Sequence, residues 1–273
     1  MRQLNRRQRA LLLLLLTLAV LLTVTLAGAL LTQQAMETDF SRMNRSPSLS
    51  FLFGTDWMGR DMLARTLAGL SLSIRIGVLT ALVSAVIALL CGVAAALSRK
   101  ADAVLSWCID LFLGIPHILL VMLISLAFGK GFVGVVAGVA LSHWPSLARV
   151  IRGEVLQLRG AVYVRTAEKL GVSRLTIARR HLLPHLLPQF LTGLVLQFPH
   201  AILHEASVTF LGFGLSPEQP AIGVILSESM SYLTTGKWWL AMFPGLSLVL
   251  VVVLFAAMGE QLRKLLDPAS VHM

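Results

Sequence analysis

The sequence predicts an all-α membrane protein with six transmembrane helices. Three observations carry that reading. Of 273 residues, 56% are hydrophobic and only 13% are charged, against about 25% charged in an ordinary soluble domain. Mean hydropathy is +0.81, and apolar runs recur at spanning length. The basic residues fall on alternate sides of those runs. A water-soluble enzyme and a disordered chain are both excluded by the apolar content.

The first span is expected over about Ala10–Leu31, where Leu11–Leu16 is almost purely aliphatic. About 22 residues at about 1.5 Å each cross the hydrocarbon core. A basic start before an apolar core also describes a signal peptide. The apolar part is longer than a signal core, and Gln33-Gln34-Ala35-Met36 is a poor cleavage site, so a retained anchor is expected. The second span is expected over Leu72–Leu97 and the third over Ala103–Phe128. Gly114 and Pro116 predict a kink or break in the third. The fourth, Phe132–Val150, begins with Gly134-x-x-x-Gly138, a spacing of small residues that lets helices approach closely. The fifth is Leu186–Phe210 and the sixth Trp239–Met258, with Trp238 and Trp239 as interfacial anchors. An outer segment, Ser216–Gly236, has room for a short helix at Ala221–Tyr232.

The net charge of +10 comes from 23 Lys and Arg against 13 Asp and Glu. With the N-terminus in the cytoplasm, sixteen of the 23 lie on the cytoplasmic side. They are Arg2, Arg6, Arg7, Arg9, Arg99, Lys100, eight between Arg149 and Arg180, Arg263 and Lys264. All six spans obey one alternation, so both termini are expected in the cytoplasm. The charge is thus a topology and anionic-lipid signal rather than a nucleic-acid footprint. Cys91 and Cys108 lie in apolar stretches and read as small hydrophobes.

One cytoplasmic segment, Ile151–His185, is too polar to span and too apolar for a solvated linker. Val155, Leu156, Leu158, Val162 and Val164 alternate with polar residues. Tyr163–Leu170 predicts a short helix stopped at Gly171. Ser173 can cap a second one through about His181, and Pro184 and Pro188 open the next span. This helix–Gly–helix knuckle has an apolar face that asks for a partner.

Among ionisable residues inside spans, Asp110, His200, His204 and Glu205 are candidates for a substrate path. His200 and His204 share a helix face at metal-holding spacing. Hydrogen bonding between helices is the simpler account of them. The order His-x-x-x-His-Glu does not place Glu205 as a zincin base. Asp56, Arg60 and Asp61 are expected to form a local charge network outside, either ordering the loop or serving as a seat or gate.

The loop resembles that of binding-protein-dependent ABC importer permeases. Their pattern is Glu-Ala-Ala, three residues, Gly, nine residues, Ile, one residue, Leu-Pro. Arg165, Thr166 and Ala167 stand in the Glu-Ala-Ala positions, Gly171 matches, His181 replaces Ile, and Leu183-Pro184 match. Gly54-Thr55-Asp56-Trp57-Met58-Gly59-Arg60-Asp61 is similar to the signature of the peptide and nickel subfamily, in its second permease subunit. Gly69, Ser73, Gly77, Leu141–Trp144, Ala148–Arg152, Phe210–Gly214, Phe243-Pro244-Gly245 and Leu262-Arg263-x-x-Leu266-Asp267-Pro268 continue the likeness over about residues 50–268. Ile222-Gly223 and Gly259-Glu260 depart from its usual Trp-Gly and Gly-Asp.

The resemblance implies a type I importer permease. It would have an N-terminal anchor over residues 1–50 and a permease domain over 51–273. Tyr163, Arg165, Thr166, Ala167, Leu170, Gly171, Leu183 and Pro184 would couple it to an ATPase. The chain has no Gly-x-x-x-x-Gly-Lys-Ser/Thr, so ATP and Mg belong to two partner ATP-binding subunits. No cofactor, catalytic residue or firm metal site is expected in this chain. The other implied partners are a second homologous permease, forming a heterodimer, and an extracytoplasmic substrate-binding protein. The implied place is a bacterial or archaeal inner membrane. The cargo is nickel, a metal chelate or a di- or oligopeptide, with His143, His200 and His204 tilting toward metal. A stand-alone channel or secondary transporter is one competing reading, though it leaves the knuckle without a purpose. An intramembrane metalloenzyme is the other.

Overall fold

The computed structural model describes residues 5–266, apart from the side chains of residues 6, 96, 97 and 174. Arg2, Asp267 and Pro268, drawn on above, lie outside the described part. The described chain is helical throughout, with a single bridge between Thr55 and Asp61. Its helices are α1 (Arg6–Leu30), α2 (Met62–Leu97), α3 (Arg99–Gly114), α4 (His117–Ala127), α5 (Gly131–Arg159), α6 (Val162–Lys169), α7 (Arg174–Ile177), α8 (Leu183–Phe210), α9 (Ile222–Leu233) and α10 (Trp239–Leu266). Five helices are long and apolar enough to cross a membrane, six if α3 and α4 make one bent span.

The expected spans are present, and several boundaries move. α2 starts at Met62 instead of Leu72, because the Asp61 carboxylate accepts from the backbone N–H groups of Leu63 and Ala64 and caps the helix there. The expected third span is broken, α3 and α4 meeting at 100°. Pro116 lacks the N–H that a continuous helix would use, and Ile115 before it is extended. α5 continues through Pro145 and past Val150 to Arg159. The alternation seen there in sequence is a helical stripe instead: Ile151, Val155 and Leu158 are all buried. The loop therefore begins at Gly160, not Ile151. α10 likewise runs past Met258 to Leu266.

α2 is the spine, packed against α1, α3, α5, α8, α9 and α10. Its small residues make that possible. Ala64, Ala68, Ser71, Ser73, Ala81, Ser84, Ala85 and Ala88 are all buried. A Cβ on Gly69 would lie 2.8 Å from the Pro220 carbonyl oxygen. One on Gly77 would lie 2.5 Å from Ile202 of α8. Gly28 of α1 abuts the Leu67 carbonyl so closely that any Cβ would overlap it, and Ser71 Oγ donates to Thr25 O at 2.7 Å beside it. Gly134 and Gly138 do the same between α5 and α4, with added Cβ atoms 2.6 Å from Ser125 O and 2.7 Å from Val121 O. In lipid, apolar surface gives no drive for helix association, so such close contact supplies it.

α1 packs on α2 and α10 and contributes Leu21 to their core. The boundary expected at residue 50 falls inside a polar cap that closes one end of the bundle. Helices α6 and α7 project from the other end.

Gly28→Val is expected to lower the thermal midpoint of the lipid-embedded protein, at a cost of about 1–3 kcal/mol for an overpacked seam. Gly245→Ala, with only Leu226 at 3.8 Å, should leave it nearly unchanged; fluorescence-detected melting compares them.

Candidate functional site

The cap is built around one buried carboxylate. Asp56 Oδ1 accepts from the backbone N–H groups of Met58 (2.8 Å) and Arg60 (2.9 Å). Its Oδ2 accepts from Arg60 Nε and from Arg65 Nη1, both at 2.6 Å. Glu228 Oε2 of α9 pairs with the same arginines at 3.3 Å and 3.0 Å. The side chains of Asp56, Arg60 and Arg65 are each 5% exposed or less. Two guanidiniums and the Asp56 carboxylate are thus neutralised away from solvent, with the half-buried Glu228 completing the balance from α9.

This differs from the expected network in three ways. It is buried; Arg65 and Glu228 belong to it; and Asp61 does not, being the cap of α2. The rest of the Gly54–Asp61 motif holds the loop in shape. Gly54 (φ 72°) and Gly59 (φ 74°) take left-handed backbone that favours glycine. Gly54 also lies against the Trp239 indole. Thr55 Oγ1 accepts from Arg45 N at 2.9 Å and donates to Arg42 O. Phe53 stacks on Phe243 of α10 at 4.7 Å. Trp238 stays half exposed, as an interfacial anchor would, whereas Trp239 packs into this corner.

The opposite end carries the projection. α6 begins at Val162 and turns Val164 fully inward, onto a core with Ile151, Val155, Leu158, Ile177, Ala178 and Leu182. Ala167 is half-buried on the same face. The helix ends in a Schellman motif: Gly171 N–H donates to Glu168 O and Val172 N–H to Ala167 O, with Gly171 at φ 79°. Ser173 Oγ accepts from Thr176 N–H at 3.3 Å. The second helix does not stop near His181 as expected: α7 runs through a π-turn over Ala178–Leu182 straight into α8, with Pro184 in the first turn of α8.

Val162 (81% exposed), Tyr163 (47%) and Leu170 (77%) stand on the outer face of α6. Arg165 and Thr166 are also exposed, and Leu183 is half-buried. The Tyr163 ring lies 5.8 Å from that of His181. Beside the face, Ser98, Arg99, Lys100, Arg159, Glu168 and Val172 line an open groove of about 730 Å³. Apolar groups ringed by basic ones form a surface that can receive another protein.

The four candidate path residues are not brought together. Asp110 is exposed and pairs with Arg149 at 2.5 Å. Nearby, Asp102 binds Arg152 through two contacts of 2.5 and 3.0 Å, so both pairs bridge α3 to α5. Glu205 is fully buried and accepts from Thr209 Oγ1 at 3.1 Å, within its own helix. His200 is exposed, and only its carbonyl meets His204, accepting from Nδ1 at 2.7 Å. The metal-capable grouping among the described residues is His117, His143 and His204, and includes neither His200 nor Glu205. His204 turns instead toward His117 and His143. No sequence spacing points to His117 as a companion.

Residues 85–271 match the family model described as binding-protein-dependent transport system inner membrane component. A putative peptide transport system permease protein of Brucella suis is 35% identical over 267 residues, covering 98% of this chain and 90% of that protein. The dipeptide transport system permease protein DppC of Bacillus subtilis is 31% identical, with coverages of 84% and 72%. The glutathione transport system permease protein GsiD of Pectobacterium atrosepticum is 32% identical, with coverages of 84% and 76%. Among solved structures, an inward-facing conformation of the MetNI methionine ABC transporter matches with a TM-score of 0.62 at 18% identity. That match covers 76% of this chain and 98% of the other.

Asp56→Asn strands two buried arginines and is expected to cost about 3–5 kcal/mol, seen as a marked loss of thermal midpoint. Glu228→Gln, at a more exposed partner, should cost less. Equal losses in melting curves would contradict the central place given to Asp56.

Proposed function

The chain belongs to the family of binding-protein-dependent transport system inner membrane components, and on that premise we propose that it is the permease subunit of an ATP-driven peptide importer. It is a multi-pass membrane protein of the ABC importer permease fold. Family membership brings ATP-binding subunits and a substrate-binding protein as partners. It performs no covalent chemistry; ATP and Mg are handled in the partner subunits.

The observation that carries the coupling role is the projection between α5 and α8. α6 is rigidly seated by Val164 and closed by Gly171, yet it presents Val162, Tyr163 and Leu170 outward. The ATPase subunit seats on that face. Because Val164 shares a core with α5 and the start of α8, a push on α6 reaches two spanning helices as a rigid movement. The bundle then moves between two packed states, one open to each side. Arg165 in place of the family's Glu leaves this apolar seat intact and offers a positive charge to the partner.

The projection then lies in the cytoplasm with both termini, and the membrane is a bacterial inner membrane. The polar cap lies outside, where the substrate-binding protein arrives. A second, related permease completes the path as a heterodimer. The cargo is a short peptide, in line with the peptide, dipeptide and glutathione permeases named above. The tilt toward nickel has no counterpart among those relatives.

Co-purification from membranes with the ATP-binding subunits tests this. Tyr163→Asp with Leu170→Asp is expected to weaken that association at least about tenfold, an apolar anchor being worth about 2 kcal/mol. Gly171→Val, forced into left-handed backbone, should lower peptide-stimulated ATP hydrolysis while the protein stays monodisperse. Full ATPase association and uptake in both variants would refute the coupling face.

A further inference from the structure

Three histidines from separate helices meet inside the bundle. His117 is the first residue of α4, directly after the break at Pro116. His143 lies on α5 and His204 on α8. Their ring centroids are 4.4, 4.6 and 4.9 Å apart, each pair edge to face. One ligand nitrogen from each falls within 4.8 Å of the others.

The hydrogen bonds around the rings select a protonation pattern. His143 Nδ1 lies 2.8 Å from Val139 O, and His204 Nδ1 lies 2.7 Å from His200 O. A carbonyl oxygen only accepts, so both Nδ1 atoms carry the proton. In the neutral ring that leaves Nε2 with a free lone pair. A backbone carbonyl behind the ring is also the common means by which a metal-binding histidine is oriented. His117 Nε2 and His143 Nε2 are buried and have no hydrogen-bond partner among the described residues. Imidazole nitrogens left unpaired at a partly closed site are costly unless an electron-pair acceptor joins them.

We propose that His117, His143 and His204 form a binding site for a divalent transition-metal ion of the zinc, cobalt or nickel class. Three imidazoles suit such borderline ions, whereas Mg²⁺ and Ca²⁺ prefer oxygen. Metal–nitrogen bonds of about 2.0–2.1 Å in tetrahedral geometry set the nitrogens about 3.4 Å apart. The fourth position opens past His117 and His204, which are half-buried, and not past His143, which is buried. The ion would tie α5 and α8 to the start of α4, and so clamp the 100° break between α3 and α4. His200 contributes its carbonyl to the orientation of His204.

The assignment rests on the three rings and is independent of the transport reading, so its test reads metal directly. The full chain with its partner subunits, in lipid nanodiscs, is stripped with chelator and titrated with Co²⁺. Visible d–d absorption of tetrahedral cobalt at about one ion per chain, displaced by Zn²⁺, is expected. His117→Gln, His143→Gln and His204→Gln should each weaken binding at least about tenfold, while His200→Gln should not. A Cys91→Ser, Cys108→Ser protein should keep the spectrum, since neither thiol takes part. His143→Cys should restore binding with a new thiolate-to-cobalt charge-transfer band, which a fold defect cannot produce. An ion retained through ATP turnover is resident, and one released by turnover is cargo-borne; either supports the site. Absent d–d absorption, a spectrum persisting in the triple Gln protein, or no charge-transfer band in His143→Cys overturns it. None of those outcomes bears on the permease assignment.

Discussion

Close contact along helix α2 is the constraint on which the other elements depend. α9, α8 and α5 reach it at Gly69, Gly77 and Gly92, and α1 through its own Gly28, beside a row of buried Ala and Ser on α2. A hydrocarbon surround is as apolar as any side chain, so the helices gain little by hiding leucines from it. They gain dispersion contact, and small hydrogen bonds such as Ser71 to the Thr25 carbonyl. The leucines of α1 fit the same scheme, since many of them stay exposed on the outside of the bundle instead of entering its core.

From that spine the two ends are built by different physics. At the cap, Asp61 starts α2 and Asp56 gathers Arg60 and Arg65, with Glu228 bringing in α9. A buried ion cluster is a poor source of net stability but a severe penalty on misplacement. It therefore specifies where α9 sits on the head of α2. At the projection, apolar burial of Val164 sets the pose, and the Gly171 turn sets its end. A rigid arm with an unpartnered apolar face is suited to transmit force, because packed cores shift between discrete states rather than deform smoothly.

Much of this was legible in sequence, residue by residue. Gly171 announced the end of α6, Pro116 the break after α3, and Gly134 with Gly138 a close helix approach, whose partner α4 only the structure supplies. The extension of α5 beyond Val150 was missed because Ile151, Val155 and Leu158 sit among arginines, and polar content masked a helical stripe. Asp61 was placed in a charge network by its neighbours, although one position before an apolar helix is where a carboxylate caps. Arg65 and Glu228 were not paired because they stand 163 residues apart.

By itself the sequence determined where the apolar helices lie and that Gly171 closes α6, because hydropathy and turn residues act locally. Only the tertiary structure decided which polar side chains meet. His200 and His204 share a helix face at a spacing that promises a pair, yet rotamer and neighbour packing turn His204 toward His117 and His143. Asp110 leaves the presumed path for Arg149, and Glu205 closes on its own helix. Inside a membrane each polar group must find a partner, and that choice is made by the helices that happen to lie beside it.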